Sequence, residues 1–239
     1  YEVGWCDWSS DVCSSDLDSA ELEKIQEISD VYPISGVTTN PKILSLCGTG
    51  LSDLVPNIRR LAEERDWQLF FQVTAEDADG MAAQAVRLRD YFGERLIVKI
   101  PAVKEGYKAV QVCVKREIPT AVTAVHSLLQ AAIAAEQGAA YVAPYVSHLD
   151  QIGCSGVRIV GEMIDAFNSS GYDCKILGAS FRSLDQISSL ELKGCHAVTV
   201  APDLFDRLIS HPLTDSAMVR FRQAWTDRYG GKEIDAFLP

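Results

Sequence analysis

The stretch 69-LFFQVTAEDADGMAAQAVRLRDYFGERLIVKI-100 carries the pattern that decides the fold. Its ends, 69-LFFQV-73 and 96-LIVKI-100, are short apolar runs rich in aromatic or β-branched residues, which read as buried strands. Between them, 76-EDADGMAAQAVRLRDYFG-93 has helical periodicity, acidic residues in its first turn and Gly93 to stop it. A strand, a helix and a strand in that order form a unit of a parallel sheet. Working outward, the same alternation recurs at 36-GVTTN-40, 120-TAVTAV-125, 141-YVAPYV-146, 175-KILGAS-180 and 197-AVTVAP-202, with another helical run at 126-HSLLQAAIAAEQG-138. Seven strands are thus readable, and an eighth is expected just before Asp18. Eight strands, each followed by a helix, close into a (β/α)8 barrel of class α/β. A flavodoxin-like open sheet is the competing fold, but it has fewer strands and a glycine-rich first loop that this sequence lacks.

No linker or shift in composition divides the chain, so residues 17–239 form one domain, with an additional C-terminal helix after the last strand. That helix, 215-DSAMVRFRQAWTDRYG-230, aligns Met218, Phe221, Trp225 and Tyr229 in a stripe that must be covered, by its own barrel or by a neighbouring subunit. Residues 1–16 are set apart as a non-native tail. The segment DWSSDVCSSDL back-translates in one frame to a common sequencing-adapter sequence, which makes at least residues 6 to 17 foreign to the fold. Residues before about Ser14 are expected to be disordered or irregularly packed.

The 239 residues are 47% apolar and 23% charged, an ordinary globular composition, with a formal net charge of -11. That charge, with no basic tract, argues against nucleic acid or an anionic membrane as partner and favours small-molecule chemistry. No apolar run approaches the ~20 residues that span a bilayer, and residues 1–17 do not read as a basic-then-apolar segment, so a secretory signal is not expected. Seven scattered cysteines without a C-x-x-C pair imply a reducing, cytoplasmic setting and no structural zinc site. The histidines show no H-E-x-x-H spacing, which disfavours a zinc-dependent enzyme; no cofactor is expected.

In such a barrel the active site gathers at the C-terminal strand ends. Polar residues there are Asp18, Thr38, Asn40, Gln72, Lys99, Thr123, Tyr145 and Ser180. Lys99 is the most informative, because its ammonium falls inside an apolar run where an unpaired charge costs several kcal/mol. Burial can lower a lysine pKa from ~10.4 by up to ~3 to 5 units, or roughly 4 to 7 kcal/mol, and the resulting neutral amine attacks carbonyl carbon. The competing reading is a strand-end lysine that snorkels to solvent. Asp18 reads equally as a carboxylate at the barrel mouth and as the N-cap of a helix over 19-SAELEKIQEIS-29. Asn40-Pro41 reads locally as a turn before a helix. Gln72 and Tyr145, taken alone, read as satisfied core groups.

The ordered motifs 36-GVTTNP-41, 70-FFQV-73, 98-VKIP-101 followed by Glu105-Gly106, 118-IPTAVTAV-125, 138-GAAYVAPYV-146 and 177-LGASFR-182 resemble the transaldolase superfamily, specifically its fructose-6-phosphate aldolase branch. The resemblance covers about Leu17 to Gly230 and implies a metal-free lysine Schiff-base enzyme acting on sugars or sugar phosphates, assembled as a homo-oligomer, a pentamer or decamer with exchanged C-terminal helices. By that resemblance Lys99 forms the imine and Asp18 shuttles protons. Gln72, Thr123 and Tyr145 hold a water for the proton of carbon–carbon cleavage, while Thr38, Asn40 and Ala143 belong to the substrate pocket. Transaldolases proper carry glutamate and phenylalanine at the positions of Gln72 and Tyr145. A transaldolase moving a dihydroxyacetone unit between sugar phosphates, and a catalytically silent barrel that only binds, are the alternative functions.

Ser180 and Arg182 match the phosphate-contacting region of the resemblance, with Arg182 in place of lysine. His148 stands where the pattern has arginine. An imidazole of ordinary pKa ~6.5 makes phosphate affinity pH-dependent, so preference for a phosphorylated acceptor is expected to fall between about pH 6 and 8.

Overall fold

A computed structural model describes residues 14–238. The chain begins with β1 (Ser14–Asp18), α1 (Leu22–Ser29), β2 (Gly36–Thr38), α2 (Pro41–Leu46) and α3 (Leu51–Arg65). It continues through β3 (Gln68–Gln72), α4 (Ala78–Phe92), β4 (Leu96–Pro101), α5 (Lys104–Val114), β5 (Thr120–Val125) and α6 (Leu128–Glu136). Next come β6 (Tyr141–Pro144), α7 (Val146–Gln151), α8 (Gly156–Ser170), β7 (Lys175–Gly178), α9 (Leu184–Glu191), β8 (Ala197–Val200), α10 (Pro202–Ile209) and α11 (Pro212–Tyr229). Each strand pairs in parallel with the next, and β8 returns to β1, so the sheet is a closed barrel. The chain is a TIM barrel with an added C-terminal helix.

Strand alternation builds two cores at once. In β4, Leu96, Val98 and Ile100 face outward into the layer between sheet and helices, while Ile97 faces inward. Phe70, Ala121, Ala143, Leu177 and Ala197 join Ile97 inside the barrel as a packed floor. The next inward position along β4 is Lys99, two residues after Ile97, which puts its side chain above that floor and buries it. Gly106 shows how tightly α5 packs on β4: a Cβ there would lie 2.0 Å from the carbonyl oxygen of Pro101. The glutamate-glycine pair that follows the VKIP motif therefore marks a close approach of helix to strand end.

Three features bear on the reading of the sequence. The eighth strand expected before Asp18 is β1, which starts at Ser14, so residues 14–16, set apart with the tail, stand in the barrel wall. Ser14, Ser15 and Asp16 pair in register with Ala197, Val198 and Thr199, and backbone pairing of this kind needs no particular side chains. The expectation that residues before Ser14 are irregular concerns positions outside the described residues. At the other end, α11 has no buried residue. Met218 and Phe221 are exposed, so their stripe is not covered by its own barrel. Only the last turn closes on itself, where Trp225 packs 4.5 Å from Tyr229 and its indole N–H donates to the Lys232 carbonyl at 2.7 Å. Finally, Asp18 does not cap the first helix: α1 starts at Leu22 with Glu21 in the cap position, and the Ser19 hydroxyl accepts from Glu21 N–H.

Candidate active site

At the C-terminal ends of the strands a cavity of about 570 Å³ opens, lined by Asp18, Asn40, Gln72, Lys99, Tyr145, His148, Ser180 and Arg182 among others. Its size suits a small-molecule ligand. Those eight residues come from six strand ends and the loops after them, Tyr145 with His148 after β6 and Ser180 with Arg182 after β7, and all were singled out in the sequence. Thr38, Thr123 and Ala143 do not line it. Thr38 stands behind Asp18 and Thr123 supports Tyr145, whereas Ala143 is sealed in the barrel floor. A methyl side chain on the inner face of β6, one residue before Pro144, falls one layer too deep to meet a ligand.

Lys99 is 3% exposed, and its Nζ donates to the backbone carbonyl of Thr39 at 2.8 Å. Burial pulls its pKa below the usual lysine value, partly offset by the Asp18 and Asp16 carboxylates. The amine is thus held in place through one donor while its basicity is reduced, as a carbonyl nucleophile requires. Snorkelling to solvent is ruled out by that burial.

Asp18 accepts from the Thr38 hydroxyl at 2.7 Å, and Thr38 in turn shares a 2.6 Å hydrogen bond with Thr199. This orients the carboxylate over the cavity floor. Burial raises its pKa, against the lowering effects of Lys99 and of the Thr38 hydrogen bond. A carboxyl group whose proton affinity is raised by burial is better suited to taking and returning a proton than an exposed one. On the far wall the Tyr145 phenol lies 3.2 Å from the Thr123 hydroxyl, and burial raises its pKa too, so it stays protonated at neutral pH. Gln72 pairs in register with Lys99 across β3 and β4, which brings its amide beside the amine.

Asn40 does two jobs. Its side-chain oxygen accepts from Ile43 N–H at 3.0 Å, capping α2, and the residue lines the cavity. The turn after β7 is set by Ser180, whose backbone is left-handed (φ 59) and whose hydroxyl meets that of Ser147 at 3.0 Å. Arg182 follows, its N–H donating to Gln186, which also forms a capping box with Ser183 at the start of α9.

His148 lies at the mouth, edge-on to Tyr145 at 5.0 Å and parallel to the ring of His126 at 5.8 Å. Its pKa is lowered by partial burial, then by His126, Arg182 and Lys42. The titration expected between pH 6 and 8 is therefore displaced downward, below 6.5. The sequence supplies no sign of this, because the perturbing groups come from three other loops.

The structure also adds residues that the sequence reading passed over. Thr199 completes the hydrogen-bond chain to Asp18, and Lys42 lines the mouth. Asp16 is buried inside the barrel, in contact range of the space left by Gly36: a Cβ at Gly36 would lie 3.0 Å from the Asp16 Oδ1. Burial pushes the Asp16 pKa up to about 7, with Lys99 acting in the opposite sense.

A family model described as Transaldolase/Fructose-6-phosphate aldolase matches residues 16–235. Among solved structures, a thiamine phosphate pyrophosphorylase from Pyrococcus furiosus is similar at 13% identity and a TM-score of 0.57, over 81% of this chain and 87% of that one. A mutant mandelate oxidase carrying an FMN adduct is similar at 15% identity and a TM-score of 0.54, over 81% of this chain and 65% of that one. At such identities both likenesses are of fold alone.

Proposed function

We propose, from the premise that this chain belongs to the transaldolase/fructose-6-phosphate aldolase family, that it is a class I aldolase. It would cleave and form fructose 6-phosphate from dihydroxyacetone and glyceraldehyde 3-phosphate, or carry out a closely related dihydroxyacetone-dependent aldol reaction. The observation that carries this reading is Lys99: an amine buried over the barrel floor, held by one carbonyl, with Asp18 as its nearby carboxylate.

In this reading the neutral Lys99 amine adds to the ketone carbon of the sugar. Asp18 passes protons as the carbinolamine forms and as its hydroxyl leaves as water, which yields the protonated imine. The imine draws the electron pair of the C3–C4 bond as that bond breaks. The C4 hydroxyl proton goes to a water held by Gln72, Thr123 and Tyr145, and the aldehyde departs. The enamine left on Lys99 is then protonated at carbon, and water releases dihydroxyacetone. Gln72 and Tyr145 support hydrolytic release of the dihydroxyacetone unit over its transfer to a second sugar, because they are the residues expected of the aldolase branch and not of transaldolases.

Reduction with borohydride in the presence of dihydroxyacetone tests the mechanism. It should leave a stable adduct on Lys99, located by peptide mass, since an imine is reducible and a merely bound ketone leaves nothing on the protein. An adduct on a different lysine would refute the assignment. Product analysis with and without an acceptor aldehyde separates cleavage from transfer, and treatment with EDTA should leave the rate unchanged.

A further inference from the structure

The cavity mouth holds more fixed positive charge than the motifs of the sequence account for. Lys42, the second residue of α2, and Arg182, just before α9, both line the cavity. They approach from different walls, one from the loop after β2 and the other from the loop after β7. Of the lining residues, only Asp18 is a carboxylate, and it is turned to the floor by its bond from Thr38. The mouth is thus a cationic rim over a floor that carries the reacting groups. Lys42 has no salt-bridge partner among the described residues, and its ammonium is exposed at the mouth.

His148, by contrast, is poorly placed to carry charge. It stacks nearly parallel on His126 with an interplanar angle of 12°, and an imidazolium there would face a second imidazole, a guanidinium and an ammonium. In its neutral form it offers one donor hydrogen bond at most.

We propose that Lys42 is a specificity-determining residue of this enzyme: with Arg182 it forms an anion subsite at the cavity mouth that binds the phosphate of the acceptor aldehyde, and His148 contributes only a neutral hydrogen bond there. This rests on reading the cavity as the aldolase site. Because an ammonium and a guanidinium keep their charge to well above neutral pH, the subsite keeps its affinity under alkaline conditions in which an imidazolium would be lost. The apolar side chains of Ile43, Leu46 and Phe181 share the lining with the two exposed cations.

Equilibrium dialysis of radiolabelled inorganic phosphate at pH 8, on the wild-type protein and on Lys42→Gln, tests the subsite without turnover. Wild type should bind phosphate, and Lys42→Gln should weaken that binding about two- to fivefold, the range of one exposed charge contact. In the addition of dihydroxyacetone, the same variant should raise KM for glyceraldehyde 3-phosphate by a similar factor and leave KM for unphosphorylated glyceraldehyde unchanged. Lys42→Arg should retain both properties. Borohydride trapping on Lys99 in Lys42→Gln checks that the barrel is intact. Equal phosphate affinity in wild type and Lys42→Gln, or no phosphate binding by wild type, overturns the subsite. If phosphate binding falls as expected while dihydroxyacetone leaves no adduct on Lys99 of the wild-type protein, the subsite stands and the aldolase reading fails.

Discussion

Replacing Asp16 by asparagine should stabilise the protein, and by an amount that grows with pH. The carboxyl group is buried inside the barrel and its pKa is pushed from 3.8 up to about 7. A folded-state value above the unfolded one means that the native protein keeps this proton longer than the unfolded chain does. The group's contribution to stability is therefore whole below about pH 4, shrinks as pH rises, and is lost above about pH 7. At 1.36 kcal/mol per unit, the wild-type protein gives up about 4 kcal/mol across that window, of which about 2 to 3 kcal/mol falls between pH 5 and pH 7. Asparagine has the same shape and no charge to desolvate, and its own cost of burial does not change with pH. The stability difference between Asp16→Asn and wild type should thus widen by about 2 to 3 kcal/mol from pH 5 to pH 8, or about 5 to 10 °C in Tm for a chain of this size. Thermal unfolding followed by circular dichroism at the two pH values measures it. A Tm difference that is the same at pH 5 and pH 8 would refute the reasoning, because it would mean that Asp16 does not titrate in the native barrel. The outcome bears on the tail as well. Asp16 falls in the adapter-like segment, and a foreign residue in a barrel interior is expected to work against the fold.

Further outcomes follow from the site and the packing. Preference for glyceraldehyde 3-phosphate over glyceraldehyde should gain a component only below pH 6.5, where His148 begins to charge against His126, Arg182 and Lys42, with Tyr145 at its edge; steady-state kinetics from pH 5 to 8 shows it, and a midpoint at pH 7 or above contradicts the lowered value. His148→Arg should lower KM for fructose 6-phosphate several-fold by adding a fixed cation to the mouth, and an unchanged KM would mean that this loop does not meet the phosphate. Gly106→Ala should cost about 1 to 3 kcal/mol in urea unfolding, since its methyl would have to push the Pro101 carbonyl aside. Changing both Met218 and Phe221 to serine should lower the oligomeric state seen by analytical ultracentrifugation, if the exposed stripe of α11 is the face that a neighbouring copy covers.

The barrel was legible because strand period and helix period alternate with few interruptions, and parallel strands buried on both faces are apolar almost throughout. Lys99 stood out for the same reason: a lone charge in such a run must have a purpose. β1 was harder, since Ser-Ser-Asp-Leu-Asp has the polarity of a loop and only its pairing with β2 and β8 makes it a strand. Ala143 was carried over with its motif, yet its depth depends on how the β6 register places it relative to the floor, which no local pattern reveals. Lys42 was missed because a lysine after Asn-Pro looks like any solvated residue at a helix start. Its meaning comes from Arg182 and His148, more than a hundred positions away in sequence. The lowered pKa of His148 belongs to the same class, an effect of groups assembled through space.

Two non-glycine residues with left-handed backbones lie beside the reacting groups: Ala124, directly after Thr123, and Ser180, two residues before Arg182. The register of β5 on β6 shifts at Ala124, which sends Val125 outward into the helix-facing core and turns His126 toward the mouth. Conformations of this kind cost of order 1 kcal/mol or more each for residues with a Cβ. Glycine at either position would relieve that strain, but at Ser180 it would also delete the hydroxyl that meets Ser147 and lines the cavity. A search for thermostable variants would therefore be drawn to the positions where gains in stability loosen the groups around the substrate, so in this barrel durability and turnover compete for the same two residues.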